Sequence, residues 1–145
     1  MPLAAIVVFL VISVDQFCKH YVRLHLQQPQ EFLGGLFELQ YSQNTGMAFS
    51  ILADRPVLMT VLTTLITVVL IVYALTLYKE ETNSWIRLSF SLLIGGALSN
   101  LWDRYTLGFV VDYINPLFVD FAIFNLADAA LNIGAGVLVL SYLRK

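Results

Sequence analysis

The stretch PVLMTVLTTLITVVLIVYALTLY, residues 56–78, decides the fold class because it carries no charged side chain from one end to the other. The hydrocarbon core of a bilayer is about 30 Å thick, and a helix needs about 20 mostly apolar residues to cross it. Residues 56–78 are long enough for such a crossing. The sequence therefore predicts a membrane-spanning helix here.

The composition of the whole chain agrees with a membrane location. Of 145 residues, 59% are hydrophobic and 12% are charged, whereas a soluble domain has about 45–50% apolar and about 25% charged residues. The net charge of −2 comes with no basic patch, so we expect no nucleic-acid partner. The single cysteine, Cys18, excludes an internal disulfide.

Three more segments are apolar enough to span, at about residues 2–21, 85–102 and 121–143. The first has no basic residue before its apolar run and no cleavage pattern, so we interpret it as a retained helix and not a signal peptide. Residues 37–44, FELQYSQN, alternate apolar and polar side chains and predict a strand. The predicted fold is one integral membrane domain, residues 1–145, mainly α, with four transmembrane helices and a small extracytoplasmic β element between helices one and two.

The orientation of the helices is not decided by charge. With four spans both termini share one side of the membrane, and the basic residues divide four against four between the two sides. Arg144 and Lys145 adjoin the last span and favour cytoplasmic termini. The two long loops, about residues 23–55 and 104–120, would then both be extracytoplasmic.

Polar residues gather at the side of the membrane that holds these two loops. Asp15 and Lys19 lie near the far end of helix one, and their i, i+4 spacing allows an ion pair. The others are Asn100, Asp103, Arg104, Asp112, Asn125 and Asp128. Such one-sided clustering favours a site over a path through the membrane.

Helical spacing groups these residues further. Gly96, Asn100, Asp103 and Arg104 share one face of helix three, and Asn125, Asp128, Asn132 and Gly136 form a similar stripe on helix four. Small and polar stripes of this kind usually mark helix–helix contact in membranes.

Asp128 is the least easily explained of these acids. It lies about 10 Å into the predicted helix, and no basic residue lies within a turn of it. A charge at that depth costs at least about 2.5–3.5 kcal/mol, so Asp128 is expected to have a function or a partner.

Simpler interpretations remain for several residues. Asp15 with Lys19 suits a structural pair, Asp103 beside Arg104 suits an interfacial cap and anchor, and Asp120 suits a solvated loop residue. The whole pattern also allows a small proton-coupled transporter or channel subunit, or a four-helix scaffold without chemistry. The two histidines, His20 and His25, do not form a metal-binding motif.

Five ordered motifs cover nearly the whole chain. They are DQFCK (15–19), NTGMAFS (44–50), GGALSNLWDR (95–104), GFVVDYI (108–114) and FNLAD (124–128) followed by AALNIGAG. With these motifs the chain resembles lipoprotein signal peptidase, or signal peptidase II, a family of bacterial membrane aspartic proteases.

The resemblance implies a catalytic pair, Asp112 and Asp128, in which one aspartate activates water while the other holds a proton. It implies that seven residues support the site or hold substrate: Asp15, Asn44, Gly46, Asn100, Asp103, Arg104 and Asn125. No cofactor and no metal are expected.

The resemblance also implies the partners and the setting. The substrate would be a diacylglyceryl-modified prolipoprotein, cut before its lipidated cysteine at the extracytoplasmic face of the bacterial cytoplasmic (inner) membrane. Membrane lipid is a further expected partner, and globomycin-type cyclic peptides are expected inhibitors. Cys18, Met47 and Ser99 depart from the residues that are usual in the family, which concerns the fit of substrate or inhibitor and removes no carboxylate.

Overall fold

The computed structural model describes residues 2–26, 28–46, 55–77 and 81–144. Tyr78, Lys145 and residues 47–50 of the NTGMAFS motif, which entered the sequence argument, lie outside the described residues. The described elements are α1 (Pro2–His25), β1 (Gln30–Phe32), β2 (Phe37–Asn44), α2 (Pro56–Leu77), α3 (Ser84–Leu107), β3 (Val110–Pro116) and α4 (Leu126–Leu143).

Three described helices are long and apolar enough to cross a membrane: α1, α2 and α4. Their large apolar side chains are largely exposed, as on Phe9 of α1 and Val69 of α2, which suits contact with lipid. α3 does not meet the same measure, because buried serines, Asn100 and Asp103 lower its apolarity. These helices support a multi-pass membrane protein, whereas the span predicted over residues 85–102, which is α3, remains a prediction.

Helix α3 is the centre of the bundle and packs against α1, α2 and α4. It approaches α4 closely at Gly96, where an added Cβ would stand 2.5 Å from the carbonyl oxygen of Ala127. The second close approach is at Gly134, where a Cβ would stand 3.0 Å from the carbonyl oxygen of Ser89. Gly136, which the sequence placed in this contact stripe, faces open space. The prediction for Gly136 was wrong because Gly136 lies two residues after Gly134. Two residues are about 200° of helical rotation, so the two glycines lie on opposite faces of α4.

The three strands form one antiparallel sheet in the order β1-β2-β3. The strand predicted over residues 37–44 is confirmed as β2. It pairs with β3 from Phe37↔Pro116 to Asn44↔Val110, and the register shifts between Leu39 and Ser42. The sheet lies at the end of the bundle where α1 and α3 finish and α2 and α4 begin, and we call this the sheet end.

Helix α4 begins at Leu126 and not near residue 121. Phe124 instead forms a bridge with Ile114, its N–H donating to the Ile114 carbonyl at 3.0 Å. The side chain of Asn125 then caps the helix by accepting from the Asp128 N–H. Apolarity alone had predicted that the helix begins near residue 121. Because it begins at Leu126, the estimate of about 10 Å of helix before Asp128 was wrong.

Helix α3 runs further than expected, to Leu107. It ends at Gly108, which has φ 83° and whose N–H donates to the Arg104 carbonyl. A left-handed cap of this kind suits glycine, which has no Cβ to clash. Asp103 and Arg104 thus lie within the helix and not beyond its exit.

Candidate active site

Two acidic side chains converge at the sheet end from different elements. Asp112 is the third residue of β3 and Asp128 is the third residue of α4. Both line one cavity of about 790 Å³. Asp112 is almost fully buried, with 2% of its surface exposed, while Asp128 is partly buried. The predicted pair thus faces a single space large enough for a peptide segment.

Asn125 joins the two carboxylates. Its Nδ2 donates to Asp112 Oδ1 at 2.7 Å, and its backbone N–H donates to Asp128 Oδ2 at 3.2 Å. Its side-chain oxygen accepts from the Asp128 N–H at 2.8 Å, which completes a capping box at the start of α4. One residue therefore starts the helix and sets the position of both acids.

Two more asparagines hold the other carboxylate oxygens. Asn44 Nδ2 donates to Asp112 Oδ2 at 2.8 Å, and Asn100 Nδ2 donates to Asp128 Oδ1 at 2.8 Å. The amide oxygens accept from unambiguous donors, the Gly46 N–H at 3.1 Å for Asn44 and the Lys19 ammonium at 2.8 Å for Asn100. These donors fix which end of each amide faces a carboxylate. All four carboxylate oxygens of Asp112 and Asp128 accept a hydrogen bond.

A buried ion cluster lies beneath the pair. Lys19 Nζ is 2.8 Å from Asp15 Oδ2 and 3.0 Å from Asp103 Oδ2, and all three side chains are at most 2% exposed. The ion pair predicted for Asp15 and Lys19 is present. Asp103 is buried, so the interfacial cap suggested for it was wrong. With Asn100 as its third acceptor, the Lys19 ammonium has a partner for each of its three protons.

The cluster also holds the two elements that carry the pair. Asp15 Oδ1 accepts from the backbone N–H of Ala127, the residue before Asp128, at 3.0 Å. Asp103 Oδ2 accepts from the backbone N–H of Val111, the residue before Asp112, at 3.0 Å. Asp15 and Asp103 therefore fix the backbone beside each acid without lining the cavity.

Arg104 lines the cavity and forms a hydrogen bond with the segment that follows β2. Its Nη2 donates to the Gly46 carbonyl at 2.9 Å. Its Nε and Nη1 are buried and have no hydrogen-bond partner among the described residues. These two nitrogens of a cation carry three N–H groups, and none of the three is bonded within the described part of the chain.

The structure brings together most of the residues predicted for the site. Six of the nine line the cavity: Asn44, Gly46, Asn100, Arg104, Asp112 and Asp128. Asn125, Asp15 and Asp103 lie behind them. Asp120, expected to be solvated, is exposed at the cavity.

Sequence reasoning missed three supporting side chains. Gln16 Nε2 donates to Asp103 Oδ1 at 2.8 Å, Ser99 Oγ donates to Asp15 Oδ2 at 2.7 Å, and the Tyr113 hydroxyl accepts from the Leu126 N–H at 3.3 Å. Each directly neighbours a predicted residue or lies in a quoted motif, which was the available signal. The departure at Ser99 supplies a hydrogen bond to the ion cluster.

The surroundings change the acidity of Asp112. Burial, and then the negative charge of Asp128, raise the pKa of Asp112 to about 7, against opposing hydrogen bonds from Asn44 and Asn125. Asp112 is therefore partly protonated at neutral pH while its neighbour supplies a second carboxyl group. Over the described parts of the chain, no group of three or more His, Cys, Asp or Glu side chains is placed to hold a metal ion.

Comparison with known proteins gives a consistent result. The family model described as signal peptidase (SPase) II matches residues 7–144. The lipoprotein signal peptidase of Streptococcus pneumoniae is 37% identical over 99% of this chain and 94% of its own length. That of Streptococcus agalactiae is 39% identical over 94% of this chain and 88% of its own.

Solved structures agree as well. A bacterial membrane enzyme determined by the in meso method at 2.3 Å resolution superposes with a TM-score of 0.87 at 26% identity, over 99% of this chain and 89% of that one. A second, determined at 1.9 Å, gives a TM-score of 0.85 at 26% identity, over 100% and 95%.

Proposed function

This chain belongs to the signal peptidase II family, and we propose that Asp112 and Asp128 are its catalytic aspartates. As a member of that family it is a membrane peptidase that removes signal peptides from prolipoproteins. The family match displaces the transporter and scaffold interpretations of the sequence. The observation that carries the catalytic assignment is the convergence of the two acids on one cavity, joined by Asn125.

The pair has the chemistry that peptide hydrolysis needs. Two carboxyl groups in one poorly solvated site do not both ionise readily, so the pair titrates as a unit and keeps one proton. The raised pKa of Asp112, about 7, makes it our candidate for holding that proton. Asp128 is then the ionised member and the base.

The reaction follows in two steps, each with two proton transfers. Asp128 takes a proton from a water molecule, whose oxygen attacks the scissile carbonyl carbon, while Asp112 donates its proton to the carbonyl oxygen. The tetrahedral intermediate collapses as the C–N bond breaks, and the proton held by Asp128 passes to the leaving amine. The carbonyl oxygen's proton returns to Asp112, which restores the starting state of the pair.

The asparagines and Arg104 prepare the site for substrate. Asn44, Asn100 and Asn125 hold the carboxylates in place before substrate arrives, which lowers the cost of reaching the transition state. The Nε and Nη1 of Arg104, which have no hydrogen-bond partner among the described residues, suit the carbonyl groups of an extended peptide, which would lie beside β2 and Gly46. Asp15, Lys19 and Asp103 act as positioning residues beneath them.

The membrane setting completes the proposal. We propose that α3 also spans the membrane, which makes four spans in all. Both termini then lie in the cytoplasm, and the sheet end lies at the extracytoplasmic face of the bacterial cytoplasmic membrane. The 24 residues of α3 make a helix about 36 Å long, enough to cross, and its polar face is covered by the other helices. The cavity has α2 and α4 as walls, so a lipid-modified segment can enter from the bilayer.

The substrate that suits this setting is a prolipoprotein whose cysteine carries diacylglycerol. Its acyl chains stay in lipid while the bond before the cysteine reaches the pair near the membrane surface. Globomycin-type cyclic peptides are expected to compete for the same cavity.

A cleavage assay tests the proposed function. The purified protein in detergent is incubated with a diacylglyceryl-modified prolipoprotein, and the products are measured by mass spectrometry beside the Asp112→Asn, Asp128→Asn double variant. We expect a product whose first residue is the lipidated cysteine, formed by the wild type alone. A folded wild type that leaves a fully lipidated substrate intact, or an equally active double variant, would overturn the proposal.

A further inference from the structure

Asn132 is a polar residue of the cavity that the mechanism above does not use. It follows Asp128 by four residues and so lies on the same face of α4. Its side chain is exposed, and it lines the cavity that holds the two acids. Neither its amide N–H groups nor its amide oxygen bonds to any other described residue.

The surroundings of Asn132 are apolar. Leu131 beside it is apolar, and Leu62 and Ile66 of α2 line the same cavity. Thr63 also lines the cavity, but its hydroxyl donates to the Met59 carbonyl at 2.6 Å and is already satisfied within α2. An amide without a partner is costly in such surroundings, so a hydrogen-bonding ligand is favoured there.

The position of Asn132 selects the part of the substrate that it meets. It lies one turn, about 6 Å, further from the sheet end than Asp128, and α4 is apolar enough to span. Asn132 is therefore on the lipid side of the pair, whereas the Arg104 guanidinium and the strand β2 are on the sheet side. A peptide backbone fits the sheet side, and the lipid group of the modified cysteine fits the lipid side.

We propose that Asn132 is a specificity-determining residue whose Nδ2 donates a hydrogen bond to an ester carbonyl oxygen of the substrate's diacylglyceryl group. The inference rests on the proposed function, because it places the scissile bond at Asp112 and Asp128. The glyceryl group is joined to the cysteine sulfur, so its esters are only a few bonds from the scissile nitrogen. An ester carbonyl is an acceptor that survives within an otherwise apolar lipid group, and it matches an amide donor in an apolar wall.

The test compares two lipopeptide substrates that differ only in this acceptor. One carries ester-linked diacylglycerol on its cysteine, and the other carries the ether-linked dialkyl analogue, which has no carbonyl groups. The ratio of kcat/KM for ester over ether is measured for the wild type, for Asn132→Leu and for Thr63→Val. Thr63→Val is the matched control, since it removes a polar group from the opposite wall that is already bonded to its own helix.

We expect the wild type and Thr63→Val to prefer the ester by about two- to tenfold, the value of one neutral hydrogen bond. The ratio falls toward one in Asn132→Leu, and the change appears in KM. A wild type that does not distinguish the two substrates overturns the inference, as does an Asn132→Leu variant that keeps the preference. An equal loss of kcat/KM on both substrates shows that Asn132 contacts lipids other than the substrate or supports the fold. That outcome also overturns the inference.

The failure of this inference can be told from failure of the proposed function. In the first case the wild type cleaves both substrates, and the preference does not depend on Asn132. In the second case the wild type cleaves neither substrate before the lipidated cysteine.

Discussion

The Lys19 ammonium donates a hydrogen bond of 2.8 Å to the side-chain oxygen of Asn100. This contact turns the NH₂ group of Asn100 toward Asp128, which accepts from it at 2.8 Å. A cation that never reaches the cavity thus decides which group a candidate catalytic carboxylate meets. Because the same ammonium pairs with Asp15 and Asp103, the orientation of Asn100 is coupled to the stability of the bundle.

Replacing Lys19 with Met is expected to destabilise the protein strongly. The change leaves the carboxylates of Asp15 and Asp103 buried without a cation, and breaking a buried pair costs about 3–5 kcal/mol. Thermal unfolding in detergent measures the effect. Arg23→Met is the control, because Arg23 is an exposed cation one turn further along α1. Equal Tm values for Lys19→Met and the control would show that the ion cluster is not stabilising.

Substitutions of Asn125 separate helix capping from the positioning of Asp112. Asn125→Ala removes both the cap and the Nδ2 donor and should lower stability by about 1 kcal/mol. Asn125→Ser keeps a capping oxygen and should stay near the wild-type Tm. Both variants lose the donor to Asp112, which becomes a carboxylate when it gives its proton to the substrate. Hydrogen bonds to charged groups are worth about 1.5–3 kcal/mol, so both variants should lose about ten- to a hundredfold in kcat.

The outcome that contradicts this assignment is specific. If Asn125→Ser keeps wild-type kcat while Asn125→Ala does not, then Asn125 acts through the cap of α4 alone. The 2.7 Å contact with Asp112 would then have no part in catalysis.

The acidity of Asp112 predicts how activity depends on pH. Its pKa is about 7 in the folded protein and about 3.9 in an unfolded chain. In the proposed mechanism the pair needs one proton, so kcat/KM should fall as pH rises through about 7. A rate profile in detergent between about pH 5 and 9 measures this, and a plateau across neutral pH would argue against a protonated Asp112.

The same shift has a consequence for stability. A pKa raised on folding means that the folded state binds the proton more tightly, so the stabilisation is fully present below about pH 4 and is lost as pH rises to about 7. Asp112→Asn should remove this pH dependence of the unfolding free energy. Asp128→Asn should reduce it in part, since burial is the larger cause of the shift and the Asp128 charge the second.

Glycine substitutions test the contact between α3 and α4. A Cβ at Gly96 meets the Ala127 carbonyl at 2.5 Å, so Gly96→Ala must separate the helices next to Asp128. We expect a loss of about 1–3 kcal/mol, typical of overpacking, together with lower activity. Gly136→Ala has open space and should be neutral or stabilising by up to about 1 kcal/mol. Similar unfolding curves for the two variants would refute the close approach.

The sequence was sufficient for the strand β2 and for the gathering of polar residues at one end of the bundle. Alternation over FELQYSQN predicted the strand, and the near-absence of charge elsewhere made each acid conspicuous. The pairing of Asp112 with Asp128 came from family resemblance, because a residue in a strand and one in a helix share no spacing rule.

The start of α4 could not be predicted from apolarity. Residues 121–125 are as apolar as the helix that follows, but Phe124 pairs with Ile114 and Asn125 caps the helix. Both effects depend on β3, which is brought alongside only by the tertiary fold. The hydrogen bonds of Gln16 with Asp103 and of Tyr113 with Leu126 also join different elements of the fold, so no local spacing rule predicts them.

The initial rate of prolipoprotein cleavage by single Asp→Asn variants tests the central claim most directly. Asp112→Asn, Asp128→Asn and Asp120→Asn each remove one carboxylate from the same stretch of chain, and each is compared at equal amounts of folded protein in detergent. We predict no detectable cleavage for Asp112→Asn and Asp128→Asn and a near wild-type rate for Asp120→Asn, whose side chain is exposed. Substantial cleavage by either of the first two variants would contradict the assignment of Asp112 and Asp128 as the catalytic pair.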